Sequence, residues 1–461
     1  MSKYRTAYVN ARLVDPESGL DAPGGLLAED GKIADFGAGL FADGAPGDAE
    51  TVDCGGQVLA PGLVDMRVQL RDPGQEHMED IESAGHAAAA GGVTTIVCLP
   101  NTDPVIDNVA VLEFVARRAR EVKLAKIHCY AAITRGFAGS ELTEMGLLRE
   151  AGAVAFTDGE VALADAKTLL RALSYASTFG HLIAQHPEEP SLAADGQMNS
   201  GEIASRLGLA GIPAVAEVIM IERDLRLVAQ TGGRYHAAHI STAASVEAIR
   251  QAKRRGLDVT CDTAPHYFAL NEIAVGDYRT FAKVRPPLRD DTDREAIVEG
   301  LKDGTIDAIA SDHSPYDQDS KRLPFAQAAF GIIGLETLLP LTLELYHNKH
   351  LSLLQALGLL TARPAARLGL TAGRLAKGAP ADLVLIDTER PWKIDEIEFR
   401  SKSKNSPFDG RPVQGHALRT VVDGRTIFGA GRATEKATEK ATGKEPGKET
   451  GKRTGKGKGK S

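Results

Sequence analysis

Apolar positions fall into two textures along the chain. Residues 1 to about 57 read as short strands broken by turns: Ala7–Val14 alternates roughly in apolar character, and Asp30-Gly31 sits between two such runs as a hairpin turn. The far end repeats this texture in Ala381–Asp387 and Arg419–Phe428, the latter with its own Asp423-Gly424. Two β-rich flanks separated by about 300 residues predict one small β-sandwich built from residues 1–57 and 372–432. Between them, eight short apolar runs end in or beside a polar residue: Leu63–Leu70, Thr94–Pro100, Lys126–Thr134, Ala153–Gly159, His181–His186, Tyr235–Ile240, Asp258–Pro265 and Ile306–His313. Segments of helical period alternate with them, namely Ile81–Ala90, Asn108–Glu121, Leu163–Phe179, Ser200–Thr231, Ser245–Arg255 and Thr292–Lys302. Strand–helix alternation favours a parallel sheet covered by helices, and eight units predict an α/β protein with a (β/α)₈ barrel over residues 58–371. A doubly wound open sheet is the rival. It fits less well, because the count is eight and no GxGxxG opens the first unit.

Charge adds a third region. From Ala433 to Ser461 the chain carries nine Lys/Arg and four Glu, with Lys at every fourth position from Lys436 to Lys456 and again at Lys460. With no apolar residue but alanine, this 433–461 tail is expected to be disordered. The whole chain has a formal charge of −8, so the other 432 residues carry −13 against the tail's +5. A body that acidic repels phosphate backbones, which argues against nucleic acid as its partner. Nothing approaches eighteen consecutive apolar residues, the N-terminus has no apolar run like a signal peptide's, and four cysteines show no CxxC spacing. A cytoplasmic protein with no membrane contact is the expectation.

In a barrel of this kind the chemistry gathers where the strands finish. The residues there are Arg67, Gln69 and Arg71 on the first run, Asn101 after the second, Asp158 on the fourth, His186 and His239 on the fifth and sixth, and Asp312 on the eighth. Any one of these could be a hydrogen-bonded core residue. Two histidines and two aspartates at equivalent ends of different strands instead suggest an imidazole–carboxylate metal site of the sort that suits zinc.

These residues lie within a set of short motifs: Pro61-Gly-Leu-Val-Asp65, Leu70-Arg-Asp-Pro-Gly74, Leu99-Pro-Asn-Thr102, Phe156-Thr-Asp158, His239-Ile-Ser-Thr242, Ala264-Pro-His-Tyr267, Pro286-Pro-Leu-Arg289, Ile309-Ala-Ser-Asp-His-Ser-Pro315 and Phe330-Gly-Ile-Ile-Gly-Leu-Glu-Thr337. In this order and spacing, from Tyr4 to Gly431, the chain resembles the dihydroorotases of the amidohydrolase superfamily. The resemblance implies a barrel whose mouth holds two metal ions, with an HxH pair on strand 1, an Asp on strand 4, His on strands 5 and 6, and an Asp on strand 8. It carries metal-ligand roles onto Asp158, His186 and His239, a general acid/base role onto Asp312, and substrate contacts onto Arg71 and Asn101. Four family positions are replaced: the HxH pair reads Arg67 and Gln69, an Asn before Pro-Pro is Arg285, and a His four residues after the strand-8 Asp is Tyr316.

Arginine keeps its proton and has no lone pair to offer a cation. Arg67 is therefore expected to pair with Asp312 and stand in for the charge of a missing metal, leaving at most one zinc per chain, or none. The replacements point to a catalytically impaired chain that serves as a structural partner of aspartate carbamoyltransferase, a role some family members have, and a homo-oligomer is expected. Retained Arg71 and Asn101 support the alternative, a working single-zinc dihydroorotase that interconverts N-carbamoyl-L-aspartate and L-dihydroorotate. A third reading is another cyclic-amide hydrolase of hydantoinase or allantoinase type.

Overall fold

A computed structural model of the protein describes residues 4–429. The 433–461 tail, expected from its composition to be disordered, lies outside the described residues.

Eight parallel strands form the central sheet: β1 Leu63–Val68, β2 Val93–Cys98, β3 Lys126–Ala131, β4 Ala153–Phe156, β5 Leu182–Gln185, β6 Arg234–Ala237, β7 Val259–Thr263 and β8 Ala308–Ile309. They lie side by side in sequence order. The ring closes across the seam between β1 and β8. Val68 bridges His313, and Gln69 N donates to His313 O at 2.9 Å. One turn lower, the Asp65 carboxylate accepts from Ser311 N at 3.1 Å. At the base, Leu360 O and Leu359 O accept from Val64 N and Ile309 N at 2.7 and 3.0 Å. Alternate residues of the strands divide between two cores, because successive side chains on a strand point to opposite faces. Ile96, Cys98, Cys129 and Ala131 join the large cluster shared with the helices, whereas Val97, Tyr130, Ala155, Leu182 and Ala184 form the smaller one with Met66.

The flanks combine into a separate eight-stranded sheet with its own core around Tyr8, Leu13, Leu26, Ile33 and Leu383. Both Asp-Gly dipeptides turn hairpins as their sequence predicts, pairing Glu29 with Lys32 and Val422 with Arg425. Val58–Pro61 knits the two ends together, running antiparallel to Leu383–Ile386 and parallel to the strand Arg5–Asp15.

Two segments differ from their sequence pattern. Ser200–Thr231, read as one helix, is a short helix Glu202–Leu207, a two-residue strand Gly211–Ile212, and then a helix Val215–Thr231. Gly208 takes a left-handed φ of 66° that ends the first helix, and Pro213 has no N–H to continue one. The eighth apolar run is a regular strand only at Ala308–Ile309; Asp312 turns left-handed at φ 53°, and His313 rejoins the sheet as an isolated bridge to Val68. No helix among the described residues is long and apolar enough to cross a membrane.

The first helix, Ile81–Gly91, opens with a reciprocal capping box between Asp80 and Ser83 and ends against the loop after β8. A Cβ on Gly91 would lie 2.1 Å from Leu335 O, whereas one on Gly47 would meet nothing within 4 Å. Gly91→Ala is expected to cost about 1–3 kcal/mol in equilibrium urea unfolding through overpacking, with Gly47→Ala within about 0.5 kcal/mol of the parent.

Candidate active site

Every sequence-predicted site residue is at the C-terminal end of the barrel. Arg67 is the fifth residue of β1. His186 directly follows β5, Asp158 and His239 come two residues after β4 and β6, and Asn101 and Asp312 come three residues after β2 and β8. Three of the end residues have left-handed backbones: Arg71 at φ 59°, His239 at φ 38° and Asp312 at φ 53°. Such conformations are costly for residues with a Cβ, and they let the chain bend sharply enough to aim consecutive strand ends at one point.

The centre is a buried ion pair. Arg67 Nε donates to Asp312 Oδ1 at 2.7 Å, with the two side chains only 4% and 9% exposed. The other carboxylate oxygen, Asp312 Oδ2, is 3.2 Å from His239 Nδ1 and 3.9 Å from His266 Nε2. His239 Nε2 in turn shares a 2.7 Å hydrogen bond with His186 Nδ1. With Asp312 ionised, His239 donates from Nδ1 to Asp312, while the proton shared between His239 Nε2 and His186 Nδ1 follows from the tautomers of the two rings. Burial alone would raise the Asp312 carboxyl. The facing His239 and the Arg67 guanidinium outweigh it and hold the carboxyl well below the usual carboxylate range. Burial drives the histidines the opposite way, lowering His186 and bringing His266 down to about 4.

The remaining predicted residues surround this pair. Gln69 Nε2 donates to Ser314 Oγ at 2.7 Å, tying β1 to the loop after β8. Arg71 donates from Nε to Pro315 O at 3.2 Å and from Nη1 to Gln75 Oε1 at 3.0 Å, and its guanidinium lies 4.5 Å from the centroid of the Tyr316 ring. Asn101 packs beside Gly159, where an added Cβ would come within 3.6 Å of it. Asp158 is turned toward the end of β3: its Oδ1 accepts from Ile133 N and Thr134 N at 2.8 and 2.9 Å, and its Oδ2 from Thr134 Oγ1 at 2.5 Å. Arg285 reaches across the opposite side, its Nε 3.1 Å from Glu188 Oε1 and its guanidinium 4.6 Å from the Phe330 ring centroid.

Sequence reasoning passed over one participant. Glu188, 6% exposed, lies between Arg285 and His186, with its Oε1 3.8 Å from His186 Nε2. Its position two residues beyond a strand-end histidine was the available signal. His266 follows the seventh run, at a strand end like the others, and faces Asp312 Oδ2 there. Arg289 is a brace: it donates to Ser241 Oγ, Asn199 Oδ1 and Ile212 O and thereby supports the loop after His239.

Asp158, His186 and His239 do not fit zinc as they are folded. Two nitrogens on one tetrahedral zinc, each about 2.0–2.1 Å from the metal, stand roughly 3.3 Å apart. Here His186 Nδ1 and His239 Nε2 are 2.7 Å apart and bonded to each other. The Asp158 oxygens are taken by three donors, and among the described residues no group of three or more His, Cys, Asp or Glu is arranged to hold a metal ion.

Comparison with known proteins agrees with the barrel and its motifs. A profile described as dihydro-orotase-like matches residues 56–245, and an amidohydrolase family profile matches residues 210–428. The chain is 48% identical over 432 residues to a dihydroorotase of Anaplasma phagocytophilum, covering 93% of this chain and 96% of the relative. It is 47% identical over 419 residues to a dihydroorotase of Syntrophotalea carbinolica, covering 91% and 98%. Among solved structures, an L-hydantoinase (dihydropyrimidinase) from Arthrobacter aurescens superposes with a TM-score of 0.83 at 28% identity, covering 93% of this chain and 97% of that one. A dihydropyrimidinase from Brevibacillus agri shares the fold with a TM-score of 0.79 at 22% identity, covering 92% and 95%.

Removing one partner of a buried ion pair leaves the other charged and unsolvated. Arg67→Met is therefore expected to destabilise the protein by about 3–5 kcal/mol in urea unfolding. Arg67→Met combined with Asp312→Leu should recover most of that loss, and a double-mutant cycle with additive costs would show that the pair is not coupled.

Proposed function

Because the chain belongs to the dihydroorotase family of cyclic amidohydrolases, we propose that it is a non-catalytic member acting as a structural partner of aspartate carbamoyltransferase in pyrimidine biosynthesis. The observation that carries the reading is the 2.7 Å contact between Arg67 and Asp312. Closing N-carbamoyl-L-aspartate to L-dihydroorotate, or opening the ring again, needs a group that takes and returns a proton near neutral pH. Asp312 holds the position that would do so, and it is pinned as a carboxylate between a guanidinium and His239. Held so far below the usual carboxylate range, Asp312 is a weak proton acceptor at neutral pH, which supports the reading.

The surroundings support the same reading. The Arg71 guanidinium lies against Tyr316 and is bonded by Gln75, and Arg285 pairs with Glu188. Part of each group that could grip a small acid is thus spent on a neighbour in the chain, although Arg71 Nη2 has no hydrogen-bond partner among the described residues. The scaffold beneath is complete, with a closed seam and a packed core, which is what an assembly partner has to supply. Its four free, buried cysteines suit a reducing cytoplasm. Association with a carbamoyltransferase, and of this chain with itself, rests on the family relationship.

One observation favours a second reading, a working enzyme with a single zinc: Arg71 and Asn101 are kept, and the left-handed bends at Arg71, His239 and Asp312 persist at the strand ends. Purified full-length protein supplied with zinc separates the two. Dihydroorotate hydrolysis, followed by loss of the ring's ultraviolet absorbance, is expected to stay at the buffer rate, and light scattering after gel filtration is expected to show a complex with aspartate carbamoyltransferase. Zinc-dependent turnover would refute the non-catalytic reading, and separate elution of the two proteins would refute the partnership.

A further inference from the structure

We propose that a cavity between the barrel and the flank sheet binds a primary alkylammonium ion, with the Glu336 carboxylate as its counter-charge and the rings of Trp392, Phe399 and Phe428 around its stem. The cavity shares no residue with the mouth, so the inference does not depend on whether the chain turns over dihydroorotate.

Shape sets the size of the ligand. The cavity measures about 250 Å³ and opens between the end of the helix Ile81–Gly91, the helix Leu338–His347 and the flank strands Leu383–Lys393 and Pro412–Val422. At roughly 30 Å³ per water it has room for about eight waters, hence for a ligand of roughly five to eight non-hydrogen atoms. Leu339 and Pro340 join the three aromatic rings in giving it apolar walls. The Trp392 ring is fixed at its polar edge, where Nε1 donates to Gly415 O at 2.9 Å, and its centroid lies 5.2 Å from that of His416. Burial holds His416 below its ordinary value, so this imidazole adds no competing charge at neutral pH.

Charge sets its sign. Three carboxylates, Glu336, Asp395 and Glu398, and two cations, Lys393 and Arg400, line the same space, which leaves one negative charge over. None of the three carboxylates has an ion-pair partner among the described residues. Glu336 Oε1 accepts from Arg400 N and Ser401 N at 2.7 and 3.2 Å, whereas its Oε2 accepts from no group among the described residues. Burial pushes this carboxyl up to about 7, against the pull of the two amides and of the Lys404 and Arg400 charges. A carboxylate so placed gains from a cation brought against it. Aromatic walls select the kind of cation, because ring faces attract an ammonium and an alkyl stem buries against them. A hard divalent ion would want six or more oxygen ligands, and among the described residues no group is arranged to hold a metal. Two sources offer the required chemistry: a free amine, and a lysine side chain, of which Lys436, Lys440 and Lys444 follow Phe428 in the sequence.

The test uses the full-length protein, with its one tryptophan, Trp392, as the reporter inside the cavity. Pentylamine is expected to change the tryptophan emission with a Kd of about 1 mM. Pentan-1-ol, the same stem without the charge, should bind about tenfold more weakly or worse. Glu336→Gln keeps an acceptor for the two amides and should weaken pentylamine about tenfold while leaving the response to pentan-1-ol unchanged. Should that variant not fold, the wild-type comparison of the two ligands still decides the matter. The variant Lys436→Gln, Lys440→Gln, Lys444→Gln distinguishes the sources. Pentylamine binding about threefold tighter than in the parent assigns the site to a lysine of this chain, through relief of intramolecular competition. Unchanged affinity assigns it to a free amine. Emission indifferent to pentylamine well beyond the expected Kd, equal affinity for pentan-1-ol, or full affinity in Glu336→Gln would each overturn the inference.

Discussion

The arrangement of the barrel mouth depends on one buried ion pair that joins the first strand to the last. Arg67 and Asp312 are 245 positions apart in the chain and meet just above the seam where β1 and β8 close the ring. Burying both charges costs several kcal/mol per ion in desolvation, and close contact offsets this only when the remaining hydrogen-bonding atoms are satisfied as well. Asp312 meets that condition through His239, whereas Arg67 keeps one buried nitrogen, Nη2, without a partner among the described residues; the neighbours of Asp312 on the chain complete the seam, with Ser311 N donating to Asp65 and His313 bridging β1. The same contact therefore neutralises the centre of the mouth and fastens the ring at that height.

The loops around the pair are held by charges of an unusual kind. Lys283 and Lys321 are almost fully buried, and their ammonium groups are caged by backbone carbonyls. Lys283 Nζ donates to Phe325 O and Ala328 O at 2.7 and 2.8 Å, and Lys321 Nζ to Ala329 O and Gly331 O at 2.7 and 2.9 Å. Burial lowers both ammonium groups, Lys283 to about 8 and Lys321 to about 7, and the carbonyl bonds are what compensate for their loss of water. The clamp sets Phe330 under Arg285 and Gly331 against Tyr316, so two of the replaced positions are oriented by a loop wound around lysines. Behind the mouth, the His313 imidazole is fixed in the same way: its Nδ1 accepts from Gly334 N at 3.1 Å, and its Nε2 lies 3.4 Å from the buried Glu79 carboxylate.

Positions at the mouth thus divide by what they spend their polar atoms on. Arg67, Gln69, Arg71 and Arg285 each have an internal partner within 3.2 Å, namely Asp312, Ser314, Pro315 together with Gln75, and Glu188. The strand ends nevertheless keep their left-handed backbone, with φ of 59°, 38° and 53° at Arg71, His239 and Asp312.

Much of this was legible in the chain alone. Eight apolar runs alternating with helical segments specify a (β/α)₈ barrel because strand and helix periods differ and each run is too short to be anything but a buried strand. The echoing Asp-Gly hairpins specify the flanking sheet because only a few residues tolerate the turn they make. The resemblance, which sets Arg67 at a metal-ligand position beside the strand-8 Asp312, was enough to expect the two to pair. Tertiary structure alone decided the rest. It turned Asp158 toward Thr134, bonded His186 to His239, placed Glu188 under Arg285 and brought His266 to Asp312. None of these contacts has a period or a spacing, because each joins the ends of different strands through loops whose bends are set by packing. A sequence orders the strands around a barrel, but which side chains meet above them depends on distances of a few tenths of an ångström that only the closed ring defines.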